Sequence, residues 1–128
     1  MKVSFSLVTT YIPEWNGNSE LPEDEQITVA LKTLESMDML ELADALERQS
    51  IDGEVDSTKM SAKDIKALLK ETGRLLPNYA TVKGLEGLDG LQVSIEQVVT
   101  YPDFMELAVE LLMELANISQ PDEDDIKN

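Results

Sequence analysis

Apolar and strand-forming residues take every second place near the start of the chain. Val3, Phe5, Leu7, Thr9 and Tyr11 alternate with Ser4, Ser6 and Thr10. Period two predicts a β-strand. Ile27, Val29 and Leu31 repeat the pattern, and the β-branched run Ile27, Thr28, Val29 favours strand over helix there. Pro13, Asn16, Gly17, Asn18 and Pro22 lie between and mark a loop. The predicted unit is two antiparallel strands joined by a long loop.

From Leu34 the period changes. Met39, Leu42, Ala43 and Leu46 stand at i, i+3, i+4 and i+7, which predicts a helix from about Leu34 to Arg48. Glu35, Asp38 and Glu41 sit early in it, where the helix dipole favours acids. Ser50 to Met60, with Asp52-Gly53 inside, reads as a linker. Ser61 and Asp64 have capping-box spacing, with Asp in place of the usual Glu or Gln. They open a second helix with the inner stripe Ile65, Leu68, Leu69 and Thr72, expected to end near Gly73 to Leu76, before Pro77. Gly84, Gly87 and Gly90 divide Thr81 to Val93 into turns with a short extended segment. Ser94 and Gln97 form another capping box, for a short helix up to Thr100. Pro102 suits the first position of a last helix reaching about Ile118.

The expected fold is α+β: an N-terminal two-stranded antiparallel β unit followed by about four helices. Residues 1–118 form a single domain. Residues 119–128 form a flexible acidic tail carrying Asp122, Glu123, Asp124 and Asp125. No internal repeat is visible.

The last helix is the most informative segment. Asp103, Glu106, Glu110, Glu114 and Asn117 fall on one narrow polar arc, leaving roughly 240° apolar. One apolar side holds Phe104, Leu107, Ala108, Leu111, Leu115 and Ile118, and can face the core. The other holds Met105, Val109, Leu112, Met113 and Ala116, and needs a second cover. Either the helix is central and both sides are buried, or this side meets a partner or a second copy. Methionine suits a surface that adapts to an irregular partner.

The second helix carries a basic cluster. Lys63, Lys66, Lys70 and Arg74 fall within an arc of roughly 80°, nearly opposite the apolar stripe. This face is either solvated or docks on the acidic face of a neighbouring copy. Trp15 is the sole Trp and sits in the first loop near Tyr11 and Pro13. It is either an interface anchor or folds back onto the strands.

Charge and composition narrow the function. The 128 residues include 10 Lys and Arg against 26 Asp and Glu, a formal charge of −16. Such a chain repels nucleic acid and anionic membranes and favours basic partners. At 42% hydrophobic it can bury a core. Cys and His are both absent. Thiol chemistry, disulfides, cysteine zinc sites and histidine acid–base catalysis are therefore excluded. The apolar positions from Met1 to Thr10 alternate, unlike a secretory signal. Phe104 to Ile118 is too short for a membrane span and contains three Glu. The expected location is the cytoplasm.

No catalytic, metal or cofactor signature accompanies the acids. Asp52, Glu54 and Asp56 alternate, but Gly53 is misplaced for a calcium loop. Asp56-Ser57 is followed by Thr58, unlike a carrier-protein attachment site. The glycines at 84, 87 and 90 lack the basic residue and spacing of a phosphate loop. The expectation is a protein that binds without catalysing a reaction.

Two stretches carry a resemblance. Tyr11 to Lys32, YIPEWNGNSELPEDEQITVALK, resembles the start of the small tail assembly chaperones of tailed bacteriophages and prophages. Val93 to Asn117, VSIEQVVTYPDFMELAVELLMELAN, resembles their later part, where a Thr-Tyr-Pro-like start opens a long apolar helix. Leu34 to Gln92 has no part in it. The resemblance implies a mixed α and β fold, self-association, and a protein client, the aggregation-prone phage tape measure protein, met in the bacterial host cytoplasm. Two other readings are an acidic DNA mimic that inhibits a nucleic-acid enzyme, and a structural subunit of a phage tail. A DNA mimic would lose affinity steeply with salt. A structural subunit would stay in the finished particle.

Overall fold

Val29 and Leu31 alternate with Thr28, Ala30 and Lys32, and this segment is the centre of a three-stranded antiparallel sheet. A computed structural model of the chain describes residues 1–2, 8–48 and 61–119. Strand β1 (Val8–Tyr11) pairs with β2 (Thr28–Lys32), which pairs with β3 (Ala80–Lys83). Tyr11, Val29 and Val82 stand in one row across the sheet, and Thr9, Leu31 and Ala80 in the next. Alternation turns both rows to one face. Val29, Leu31, Ala80 and Val82 are buried there in a single cluster with the helices. The fold is α+β.

The third strand enlarges the expected two-stranded unit, and it lies at the start of Thr81 to Val93, where a short extended segment was expected. It follows directly on a helix, with no loop between Tyr79 and Ala80. The expected strand positions Val3 to Leu7 lie outside the described residues, as do the expected linker and the acidic tail from residue 120 onward.

Helix α1 (Ser36–Arg48) buries Leu42 and leans Met39 and Leu46 on the core. Helix α2 (Ala62–Tyr79) opens as expected, with Ser61 Oγ accepting from the Asp64 amide at 3.2 Å. It does not stop before Pro77 but runs on to Tyr79. A proline this late removes a single bond of the last turn. The extra turn buries Leu76 and Tyr79, which outweighs that loss. Helix α3 (Ile95–Thr100) has both halves of its capping box, Ser94 and Gln97. A 3-10 turn, Pro102–Phe104, leads into α4 (Met105–Ser119).

Helix α4 packs against α1, α2 and α3, and shares the middle of the helical layer with α2. Its last residue, Ser119, is buried and accepts from the Leu34 amide at 3.0 Å through Oγ. The folded part therefore includes Ser119, which had been assigned to the tail. Next to that contact the Tyr79 hydroxyl accepts from the Glu35 amide at 3.3 Å and donates to Asp38 at 2.6 Å. The start of α1 is thus fastened to the ends of α2 and α4.

Candidate protein-binding surface

Because α4 is central, its two apolar sides are not equivalent. Leu107, Ala108, Leu111 and Leu115 are buried, as expected for the core side. The side expected to await a partner is partly core as well. Leu112 is 0% exposed and Ala116 8%, both closed off by the chain itself. Neither can meet a partner while the domain stays folded. What remains is a narrow stripe of half-buried residues, Met105, Val109 and Met113, one helical turn apart. Glu106 and Asn117 are the exposed positions of α4.

Trp15 folds back. Its ring lies 5.9 Å from that of Phe104, tilted by 54°, and it leans on the core. The loop holding it is pinned by Glu110 of α4. That carboxylate accepts from the Tyr11 hydroxyl at 2.6 Å, the Glu14 amide at 2.7 Å and the Trp15 amide at 3.1 Å. Burial, then the hydrogen bond to Glu110 and nearby carboxylates, push the Tyr11 hydroxyl well above its ordinary titration range. Glu110 looked like one acid of a solvated arc. Nothing in its spacing marked it as a loop anchor.

The basic cluster of α2 divides in two. Arg74 is engaged within the chain, with Glu71 at 2.6 Å, Glu41 at 3.2 Å and Asp38 at 3.3 Å. Its guanidinium already has partners within the chain, unlike the lysines expected to share its role. Lys63, Lys66 and Lys70 are exposed and have no ion-pair partner among the described residues. Beside them Ala62, Ile65 and Leu69 form the floor of a groove of about 480 Å³, rimmed by Lys66 and Lys70.

No protein family, curated protein or solved structure matches this chain.

A second hollow of about 300 Å³ lies between the first loop and the segment after β3, lined by Trp15, Asn18, Leu21, Ile27, Leu85 and Glu86 among others. Among the described residues, no group of three or more acids is placed to hold a metal ion. None of the described helices is long and apolar enough to cross a membrane.

Two apolar surfaces were missed in the sequence. Met37 and Leu40 stand on the outer face of α1, 66% and 56% exposed. A signal existed, because both lie nearly opposite Leu42 on the helix. Leu88 and Leu91 are exposed on a hairpin formed by Leu85 to Val93, closed by the Val93 amide on the Leu85 carbonyl and the Gly87 amide on the Leu91 carbonyl. Their glycine neighbours signalled turns but not an apolar tip.

Proposed function

We propose that this chain is a non-enzymatic cytoplasmic binding protein that shields an apolar segment of a protein client, and specifically a tail assembly chaperone for a phage tape measure protein. The observation that carries the reading is the half-buried apolar stripe Met105, Val109 and Met113 on a helix whose leucines and alanines are buried in the domain. An enclosed helix holds such a stripe rigidly, and two methionines let it adapt to irregular apolar partners. Met37, Leu40, Leu88 and Leu91 are further exposed apolar residues that a client could cover. The charge of −16 keeps a complex with an aggregation-prone client soluble. The two resembling stretches supply the identity of the client.

The test is co-expression with a phage tape measure protein. The client should stay soluble with the wild-type chain and precipitate when Met105 and Met113 are both changed to Asp. A client equally soluble with the folded double variant would sink the stripe as the site. Recovery of a nucleic-acid enzyme as the salt-sensitive partner would favour the DNA mimic instead. Presence in finished particles would favour a structural subunit.

A further inference from the structure

The hollow between the first loop and the segment after β3 has walls fixed by main chain. Gly84 comes so close to Gln26 that a Cβ there would stand 2.7 Å from the Gln26 carbonyl oxygen. The Gln26 side chain donates to the carbonyls of Ser19 at 3.1 Å and Leu21 at 3.0 Å, closing the loop on itself. Asn18 is bonded through both its amide nitrogen and its amide oxygen, to Pro13 and Ile27. The hollow is therefore formed before any ligand arrives, which lowers the cost of binding. At about 300 Å³ it stands at the small end of ligand pockets and suits one long side chain rather than a helix.

Three kinds of group meet in it. Trp15 supplies an aromatic ring, Leu21, Ile27 and Leu85 supply apolar wall, and Glu25 and Glu86 supply negative charge. Neither glutamate side chain has a hydrogen bond or ion pair among the described residues. No Lys or Arg lines the hollow, so its charge is not neutralised from within. An aromatic ring attracts a cation, an apolar wall covers methylene groups, and carboxylates accept from charged N–H donors. Arginine carries all three complements on one side chain, a flat guanidinium with forked donors on an apolar stem. Lysine has the stem and the charge but neither the flat face nor the fork. The charge of −16 draws a basic segment toward the chain.

We propose that this hollow receives an arginine side chain from a basic segment of a partner protein. The guanidinium lies against the Trp15 ring and donates to Glu25 and Glu86, and the stem runs along Leu21, Ile27 and Leu85. The site is separate from the Met105 stripe and takes a charged group, so it stands or falls apart from the apolar client.

Nuclear magnetic resonance titration with a blocked Gly-Arg-Gly peptide tests it. Wild-type shifts should centre on the Trp15 indole N–H and the amides of Leu21 and Leu85. The same peptide with Lys in place of Arg should bind more weakly. Glu25→Gln with Glu86→Gln should weaken arginine binding about tenfold. Both positions are exposed, and circular dichroism checks that the variant is folded. Glu47→Gln with Glu96→Gln removes the same charge at exposed positions outside the hollow and should leave binding within about twofold. The shift map and the lysine comparison need no variant. Shifts centred elsewhere, or an equal loss in the two double variants, overturn the proposal, because the attraction is then only that of a negative surface. A lysine peptide bound as tightly overturns the assignment to arginine. Putrescine bound more tightly than the arginine peptide would make this a small-amine site and overturn it too.

Discussion

The Glu110 carboxylate accepts the Tyr11 hydroxyl at 2.6 Å and so joins residues 99 positions apart. Through the amides of Glu14 and Trp15 the same carboxylate holds the first loop against α4. Charged acceptors make the stronger hydrogen bonds. Glu110→Gln keeps the shape but removes the charge and turns an NH₂ group toward a donor. The expected loss is about 2 kcal/mol. Urea unfolding followed by the fluorescence of Trp15 measures it. An unchanged midpoint would show that the loop is held by other contacts.

The two inward tyrosines predict a loss of stability in base. Burial raises both Tyr11 and Tyr79, helped by hydrogen bonds to Glu110 and Asp38 respectively. Each binds its proton more tightly folded than unfolded. The unfolded chain therefore releases protons first, near the ordinary value of 10.0. The stabilisation is fully present below that pH and fades as pH rises through it toward the folded value. Urea midpoints from about pH 8 to about pH 11 should fall, and the Tyr11→Phe, Tyr79→Phe double variant should show a flatter slope. Equal slopes would place the titration elsewhere.

Asn18 is the polar pin of the long first loop. It is 2% exposed, donates from Nδ2 to the carbonyls of Pro13 and Ile27, and accepts the Ile27 amide at 2.6 Å through Oδ1. Asn18→Asp would set an oxygen against two carbonyl oxygens in a buried place. The cost should be about 3 kcal/mol or more at neutral pH. Thermal melts should show part of it returning in acid, where the carboxyl can donate a proton. A melt indifferent to pH would refute that account.

Gly84 is fixed by backbone geometry. Its φ is +84°, and a Cβ there would stand 2.7 Å from the Gln26 carbonyl oxygen. That oxygen is main chain and cannot rotate away. Gly84→Ala should therefore cost about 2 kcal/mol or more, beyond the usual penalty for alanine at positive φ. Denaturant unfolding reads it. A loss below about 1 kcal/mol would mean that the turn relaxes.

The readable parts of this fold are those with local causes. Period-two alternation marked β2, and the spacing of Met39, Leu42 and Leu46 marked α1. Ser61 and Ser94 marked their helices because a cap is a local bond. The unreadable parts depend on distant partners. An extended segment within Thr81 to Val93 was legible, but not that Ala80 to Lys83 pairs with the free edge of Val29 and Leu31. Tyr79 stayed helical beyond Pro77 because the start of α1 meets its hydroxyl. The candidate surface followed the same rule. A helix wheel showed that α4 is apolar on two sides. It did not show how much of the second side its neighbours would cover.

That division within α4 gives the sharpest test, because neighbouring positions should behave oppositely. Leu112 is fully enclosed, and Met113 is half-buried on the remaining stripe. Leu112→Asp places a charge in the core without a partner and should cost about 4 kcal/mol or more, enough to unfold much of a marginally stable domain. Met113→Asp can turn its carboxylate toward water, so the loss should stay near about 1 kcal/mol. Circular dichroism melts separate the two. If Met113→Asp keeps the fold yet loses the client, the stripe is a contact surface. If it melts like Leu112→Asp, α4 is core on every apolar side and the proposed stripe is not a contact surface.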